Sequence, residues 1–290
     1  MTIDLHTHSS VSDGTESPAD LVRAAAAAGL EVVALTDHDT TAGWDEAVVA
    51  AEDTGIGLVR GIEVSTRYRG EGVHLLAYLP DRDDPALRAE LDRIVAGRED
   101  RVPAMLARLR DLGIPVTEEA LAEVSPDNQV TGRPHVADLL VRLGAVHDRD
   151  EAFARYLYDG GPAFVDRYAA DLVTMLGLVT GAGGVAVVAH PWGRASAGVL
   201  DEAAFTDLAA AGLGGIEVDH LDHDRRARAG LRTIAGRLGL VVTGSSDHHG
   251  AGKTGHDLGS ETTDRAQLDR ILERAAALGS PTGLAGGRGR

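Results

Sequence analysis

Six short clusters of histidine and acidic residues are spread along this chain, and each one adjoins an apolar, strand-like run. Their members are His6, His8 and Asp13; Asp37, His38 and Asp39; Glu63; His74; His190; and Asp247, His248 and His249. In a parallel α/β sheet the carboxyl ends of the strands meet on one face, so residues distant in sequence come together there. The clusters therefore predict an α/β fold in which their side chains converge.

The residues between the clusters alternate between strand and helix patterns. Ser17 and Pro18 have the residue types of a helix N-cap and first turn, and Gly29 follows an alanine-rich run as a stop signal. Residues 31–35 then make an apolar run that ends just before Asp37. The same alternation resumes after residue 184, and repeated β-α-β order of this kind predicts a parallel sheet or barrel.

The chemistry of the clusters favours bound metal ions. Imidazole and carboxylate groups suit zinc, manganese or iron, and the absence of cysteine excludes thiolate zinc sites and disulfides. For any single histidine, a capped loop or a satisfied core position is the simpler interpretation. The recurrence of the clusters beside strands favours a multinuclear metal site instead.

Composition limits the class of protein. With 290 residues, 43% of them hydrophobic, the chain can form one large domain or two small ones. A formal net charge of −17 disfavours binding to duplex DNA, and bound cations would neutralise part of that charge. The N-terminal residues form no charged-then-apolar leader and no apolar stretch is long enough to cross a membrane, so we expect a soluble cytoplasmic protein.

Changes in pattern suggest the domain organisation. Residues 1–98 and 169–280 are predicted to form a discontinuous metal-binding barrel, and residues 99–168 a helical insertion or lid. Residues 281–290 are predicted to be a disordered tail. The arginines between Arg88 and Arg110 are expected on a solvated helix face beside acidic residues, outside the site.

In sequence order, the motifs resemble those of the PHP (polymerase and histidinol phosphatase) family of metal-dependent phosphoesterases. The resemblance rests on His6-Thr7-His8, Ser12-Asp13-Gly14, Thr36-Asp37-His38-Asp39, Gly61-Ile62-Glu63, His74, Ala189-His190-Pro191 and Ser246-Asp247-His248-His249. It implies an irregular (β/α)7-type barrel with a helical insertion and with metals at the carboxyl ends of the strands.

The resemblance also implies the metal ligands. His6, His8, Glu63 and Asp247 would bind one ion, with Glu63 bridging to a second ion held by His74 and His190. Asp13, His38 and His249 would bind a third. Two or three divalent ions are implied, with manganese favoured and iron, zinc or magnesium as alternatives. His248 is expected to point away from this site, because side chains alternate along an extended segment.

The sequence looks most similar to the family branch that carries Gly-Arg-Pro-His in its insertion, here residues 132–135. That branch implies a catalytic or substrate-binding role for Arg133 and His135, because a guanidinium matches phosphate oxygens and an imidazole can donate a proton. The alternative is that Arg133 pairs with a local carboxylate while Pro134 starts a helix. His220 and His223 are expected either at the substrate edge of the pocket or as loop residues before the next helix, and His147 and His256 at the surface.

The function implied is hydrolysis of a phosphomonoester by a metal-activated hydroxide, with the 3′-phosphate of a 3′,5′-nucleoside bisphosphate as the favoured substrate. Two alternatives keep the same chemistry, namely 5′-3′ exonuclease action on short single-stranded RNA with a 5′-phosphate, and hydrolysis of histidinol phosphate. A fourth interpretation is a non-catalytic PHP module that stabilises or binds a partner.

Overall fold

The computed structural model describes residues 2–124, 131–193 and 195–287. In these residues the strands are β1 (Ile3–Asp4), β2 (Val32–Leu35), β3 (Gly57–Tyr68), β4 (Glu71–Tyr78), β5 (Ala170–Asp171), β6 (Val185–Val188), β7 (Gly215–Asp219), β8 (Val241–Gly244) and β9 (Ala285–Gly286). The α-helices are α1 (Pro18–Ala27), α2 (Trp44–Thr54), α3 (Pro85–Asp100), α4 (Val102–Asp111), α5 (Glu118–Val124), α6 (Arg133–Arg142), α7 (Arg149–Ala152), α8 (Leu172–Gly181), α9 (Glu202–Ala210), α10 (Arg225–Leu238) and α11 (Arg265–Ala277).

The strands form a barrel-like sheet in the order β1-β2-β3-β4-β6-β7-β8, and the short strands β5 and β9 both pair with β3. Just beyond β8, His248 forms a parallel bridge with Thr7, which brings the two ends of the sheet together. The His8 amide donates a hydrogen bond of 2.8 Å to the His248 carbonyl at this seam. The predicted irregular (β/α)7-type barrel is therefore confirmed.

One strand makes the barrel irregular. β4 runs antiparallel to both of its neighbours, β3 and β6, whereas β1–β2, β2–β3, β6–β7 and β7–β8 are parallel pairs. As a result, the start of β4 lies at the edge where the other strands end, and His74 pairs in register with Ser65 there. His74, near the start of its strand, therefore lies beside residues that follow the ends of other strands.

Alternating side chains build the two sides of the barrel wall. On β2, Val32 and Ala34 belong to a cluster that also contains Leu268 and Ile271 of α11, while Val33 packs in the larger cluster beneath the outer helices. This is the two-residue period of a strand buried on both faces. The helices begin where the sequence predicts; for example, the Ser17 side chain accepts a hydrogen bond from the Asp20 amide at the start of α1.

The helices α4 to α7 and the loops around them have a hydrophobic cluster of their own, which includes Met105, Leu109, Val136 and Leu140. α3, by contrast, packs its buried leucines against the cluster of the barrel. The insertion thus follows a helix that still belongs to the barrel wall.

Residues 281–290 are predicted to form a disordered tail, but part of this segment forms a strand. β9 pairs antiparallel with the start of β3, and the Gly287 amide donates to the carbonyl of Ile56 at 3.1 Å. The unpaired edge of β3 supplies backbone partners that composition does not reveal. Residues 288–290 lie outside the described residues. Within the described part of the chain, no helix is both long and apolar enough to cross a membrane.

Two arginines of the predicted solvated face are buried, so that part of the prediction is wrong. Arg98 and Arg101 are 6% and 5% exposed. Arg98 Nε donates to Asp39 Oδ2 at 2.6 Å, and its Nη2 donates to Ser65 Oγ at 2.6 Å. Asp39 follows β2, so this ion pair ties the end of α3 to the edge of the barrel where the histidines lie.

We predict that Arg98→Met will destabilise the fold by about 3–5 kcal/mol, because it leaves the Asp39 carboxylate buried without its cation. Urea denaturation followed by circular dichroism measures this loss. The control is Arg23→Met on α1, where the ion pair with Asp20 is exposed and should contribute less than about 1 kcal/mol. Equal effects of the two substitutions would contradict the assigned role of the buried pair.

Candidate metal centre

The predicted ligand residues come together at the edge of the barrel where the parallel strands end. Nine side chains contribute to this imidazole–carboxylate centre: His6, His8, Asp13, His38, Glu63, His74, His190, Asp247 and His249. All except His74 are buried. Three of these residues follow β1 and two follow β8, while β2, β3, β4 and β6 account for one each, as their positions along the chain predict.

The carboxylate of Glu63 lies in the middle of the centre. Its Oε1 is 2.8 Å from His74 Nδ1 and 3.0 Å from His190 Nε2. Its Oε2 is 3.1 Å from His38 Nδ1 and 3.3 Å from the Nε2 atoms of both His6 and His8. A carboxylate whose two oxygens face different sets of imidazoles has the arrangement needed to bridge two ions.

Two aspartates complete the centre on either side of His8. Asp247 Oδ1 is 3.5 Å from His6 Nε2 and 3.4 Å from His8 Nε2. Asp13 is 3.4 Å from His249 Nε2, 3.6 Å from His38 Nε2 and 3.7 Å from His8 Nδ1.

Three groups of these side chains have ligand atoms close enough to share an ion: His8, Asp13, His38 and His249; His6, His8 and Asp247; and His38, Glu63 and His74. They differ in detail from the predicted division, because His8 and His38 each belong to two groups. His190 joins the centre through its contact with Glu63.

The centre fits divalent cations. Buried nitrogens of His6, His8 and His38 face carboxylates without a hydrogen-bond partner, and such atoms are costly unless they bind something. Burial lowers the pKa of His38 to about 3, which keeps the ring neutral as a ligand requires. Burial alone would raise the pKa of Glu63, but the neighbouring imidazoles of His74 and His6 outweigh that effect and hold the pKa well below its usual value.

Glu217 on β7 contacts two residues of the centre. The sequence did not predict a role for it. Its Oε1 is 3.0 Å from His6 Nδ1, and its Oε2 accepts from the His190 amide at 2.8 Å. A carboxylate on Nδ1 fixes the ring so that Nε2 faces the centre. The sequence signal that could have identified Glu217 is a charged residue next to Val218 within an otherwise apolar strand.

Backbone strain accompanies the same residues. His190 and Asp247 have φ angles of 27° and 54°, and Asp39 has a φ angle of 57°. Left-handed backbone is uncommon for residues other than glycine, and it persists where surrounding contacts determine it. The hydrogen bonds of Glu217, and those of Asp39 with Ser65, are contacts of this kind.

The helical insertion reaches the centre through Arg149. This guanidinium forms a bidentate pair with Asp138, at 2.6 Å for each bond, and its Nη1 donates to the carbonyl oxygens of Asp13 at 3.0 Å and Gly252 at 3.5 Å. One side chain of the insertion therefore holds two barrel loops, including the loop that carries Asp13.

Four arginines interact electrostatically and form a basic cluster: Arg98, Arg101, Arg133 and Arg167. Arg98 connects this cluster to the centre, since its charge acts on His38. Burial, followed by the charges of Arg167 and Arg133, lowers the pKa of Arg101 to about 8. Burial and the charge of Arg98 lower the pKa of Arg167 to about 10. Among the described residues, the buried Arg101 Nε atom has no hydrogen-bond partner. A guanidinium in such surroundings is a ready partner for an anion.

Arg133 makes the contacts expected from the alternative interpretation, in which it pairs with a local carboxylate and Pro134 starts a helix. Its Nη1 pairs with Asp159 and donates to the Leu157 carbonyl, and Pro134 lies in the first turn of α6. Its guanidinium also lies between the rings of Phe153 and Phe164, 5.7 and 5.6 Å from their centroids.

His135 lies in the same turn of α6 and is 2% exposed. Its Nδ1 accepts a hydrogen bond of 2.9 Å from the Gly132 amide, so the neutral ring carries its proton on Nε2. That Nε2 is buried close to the Ser12 carbonyl, and burial lowers the pKa of the ring. His135 therefore directs an N–H group from the insertion toward the loop of Ser12 and Asp13.

The remaining histidines have different surroundings. Both ring nitrogens of His223 bind backbone, with Nδ1 2.9 Å from the Val218 carbonyl and Nε2 accepting from the Trp192 amide at 3.1 Å. These contacts favour the loop interpretation of His223. His220 is buried, with Nε2 3.4 Å from Asp247 Oδ2.

His248 Nε2 faces Glu16 at 2.8 Å, away from the ligand groups, as predicted. His147 is exposed, also as predicted. The prediction that His256 is a surface residue is wrong. It is buried, with Nδ1 2.6 Å from the carbonyl of Ser246, because the loop after β8 folds back over that strand end.

The barrel and its imidazole–carboxylate centre define a metal-dependent phosphoesterase, and the chain belongs to the PHP family. The family model of the PHP domain matches residues 4–116.

Relatives of this kind extend over most of the chain. It is 39% identical to a 3′,5′-nucleoside bisphosphate phosphatase of Chromobacterium violaceum, over 94% of this chain and 95% of that protein. It is 38% identical to a 5′-3′ exoribonuclease of Haemophilus influenzae, over 85% and 89% of the two chains. A crystal structure of a candidate metal-dependent phosphoesterase from Bifidobacterium adolescentis superposes with a TM-score of 0.89 at 36% identity, covering 94% of this chain and 96% of that one. The chain is thus a metal-dependent hydrolase.

We predict that Glu217→Gln will weaken Mn²⁺ binding by about 10–100-fold, because it removes the carboxylate that orients His6 and the amide of His190. Isothermal titration of metal-stripped protein with MnCl₂ measures the affinity. Glu202→Gln is the matched control, since Glu202 pairs with Arg237 on the exposed outer surface. An unchanged dissociation constant in Glu217→Gln would remove Glu217 from the support of the centre.

Proposed function

We propose that this protein removes the 3′-phosphate of a 3′,5′-nucleoside bisphosphate by metal-dependent hydrolysis. The observation that supports the proposal is the basic cluster beside the imidazole–carboxylate centre, above all the buried Arg101, whose Nε has no hydrogen-bond partner in the described part of the chain. Two separate sites for anions, one at the metal ions and one at the arginines, suit a small substrate with two phosphate groups.

The residues that would hold the ions are the nine of the centre. His6, His8, Glu63 and Asp247 are proposed for one ion, Glu63, His74 and His190 for a second, and Asp13, His38 and His249 for a third. Divalent ions bound there would supply an acidified water and neutralise the phosphate oxygens. Manganese is the proposed metal, with iron, zinc and magnesium as alternatives for this mixed donor set.

The protein side chains position the substrate. The phosphate to be cleaved would lie over the centre, while Arg101 and its neighbours Arg133 and Arg167 bind the other phosphate. His135, with a proton on Nε2 and a ring kept neutral by burial, would donate a hydrogen bond to substrate oxygen. His223 is proposed only as a minor contact at the edge of the substrate site, since backbone groups occupy both of its ring nitrogens.

The exoribonuclease interpretation is the second candidate. A 5′-phosphate at the end of a short single-stranded RNA would fit the same arginines, and the relative from Haemophilus influenzae is named for that activity. Histidinol phosphate fits less well, because its ammonium group would meet the positive charges of Arg101, Arg133 and Arg167. A non-catalytic module is disfavoured because the relatives that match most of the chain are named as enzymes.

The test is phosphate release by Mn²⁺-loaded protein from 3′-phosphoadenosine 5′-phosphate, compared with histidinol phosphate and a short 5′-phosphorylated RNA. We expect the nucleotide to have the highest kcat/KM, with adenosine 5′-phosphate as the organic product. A higher kcat/KM for RNA or for histidinol phosphate would transfer the assignment to that substrate.

Glu63→Ala and Asp247→Ala should each abolish turnover while leaving a folded chain, because each removes a carboxylate shared among several imidazoles. Circular dichroism and phosphate release measure the two properties separately. Turnover at the wild-type rate in either variant would contradict the proposed metal ligands.

The two arginines should differ in their effects. Arg101→Ala should raise KM for the bisphosphate by about 10-fold or more, since charge-assisted hydrogen bonds contribute about 1.5–3 kcal/mol. Arg133→Ala should raise KM less, because Arg133 already pairs with Asp159. As a check, both substitutions should have little effect on p-nitrophenyl phosphate, which has a single phosphate group. A KM for the bisphosphate that neither variant changes would remove the basic cluster from the substrate site.

A further inference from the structure

Lys253 is the only lysine in a chain where lysine and arginine together number 28. All other basic side chains are arginines, whose planar fork suits acceptors with two oxygens, whereas lysine carries a compact charge that suits a single oxygen. Lys253 is three-quarters buried beside the metal centre, and its Nζ lies 2.5 Å from Asp247 Oδ2.

The two oxygens of Asp247 have different partners. Oδ1 faces the centre, at 3.5 Å from His6 Nε2 and 3.4 Å from His8 Nε2. Oδ2 faces the opposite way, toward Lys253 and toward His220 Nε2 at 3.4 Å. One side of the carboxylate is thus available to an ion and the other side is held by the protein.

The backbone fixes the role of His220 in this arrangement. The Asp222 amide donates to His220 Nδ1 at 3.1 Å, so a neutral ring carries its proton on Nε2 and donates it to Asp247. His220, Asp247 and His256 lie close enough together to form another ligand group. The proton on His220 and the ammonium on Oδ2 oppose the binding of an ion there.

We propose that Lys253 is a positioning residue of the metal centre. Together with His220 it fixes Oδ2 of Asp247 and thereby presents Oδ1 to the ion between His6 and His8. The backbone of Asp247 is in the left-handed region, at a φ of 54°, and such a conformation persists where surrounding contacts hold the residue. The inference rests on the metal ligands proposed above and is independent of the substrate.

Two effects of Lys253 on metal affinity oppose each other. Its charge repels an incoming cation, so that effect alone predicts tighter binding when the charge is removed. Its hold on Asp247 orients a ligand, and losing a contact of this kind weakens metal affinity by about 10–100-fold. The proposal requires that the second effect is larger.

Lys253→Met separates these effects. We expect the dissociation constant for Mn²⁺, measured by isothermal titration of metal-stripped protein, to rise by about 10–100-fold. The side chain is 24% exposed, so methionine should be accommodated, and circular dichroism checks the fold. Unchanged or tighter Mn²⁺ binding by a folded variant would overturn the proposal.

The absence of cysteine permits a precise rescue experiment. In Lys253→Cys, the thiolate is the only one in the chain, and 2-bromoethylamine alkylates it with loss of bromide to give a lysine analogue with sulfur in place of one methylene. We expect this to restore Mn²⁺ affinity to within a few-fold of the wild type, whereas Lys253→Arg should not restore it. Failure of the alkylated protein to regain affinity would contradict a role for the ammonium.

Kinetics with p-nitrophenyl phosphate distinguish positioning from direct substrate contact. If Lys253 acts through Asp247, saturating Mn²⁺ should recover most of the kcat of Lys253→Met, with KM unchanged. A raised KM at saturating metal would assign Lys253 to the substrate instead. Neither this assay nor the metal titration uses a nucleotide. Both tests of Lys253 therefore remain valid even if the bisphosphate is not the substrate.

Discussion

The buried carboxylate of Glu63 is the constraint on which the rest of the site depends. It is 1% exposed and lies within 3.3 Å of nitrogens from five imidazoles, which come from chain segments at four different strands. A charge taken out of water in this way is stable only beside compensating charge, and imidazoles that bind a metal are neutral and cannot supply it. Divalent ions can, which explains why so many elements of the barrel end at one point.

The irregularity of the barrel follows from the same requirement. In a fully parallel barrel, a residue at the head of a strand would lie at the opposite edge from residues that follow other strands. Because β4 is reversed, His74 meets Glu63 although it stands near the start of its strand. Periodicity identifies β4 as a strand but contains no information on its direction, so the sequence predicts the ligand and the structure explains its position.

Most strands and helices could be predicted from sequence because their signals are local, whereas the closure of the barrel and the division of the metal ligands were implied by the family resemblance. Ser17 caps α1, and the period of two in β2 sorts its residues between the two faces of the wall. What escaped prediction depends on partners distant in sequence. Arg98 looks like one more residue of an exposed helix face until Asp39 is seen beside it, and Glu217 looks like a strand residue until its contact with His6 is known. No composition or spacing rule encodes such pairs.

Charge is separated across the pocket. The centre gathers carboxylates whose pKa values lie well below normal, while the insertion brings arginines whose pKa values are lowered by burial and by mutual repulsion. The arginines are therefore short of anions, and the carboxylates would be short of cations wherever their imidazoles are neutral, as metal ligands are. A metal-bound phosphate ester satisfies both at once. The net charge of −17 consequently does not oppose binding of a phosphorylated substrate. At distances of a few ångströms, the charges nearest the substrate determine its electrostatic energy.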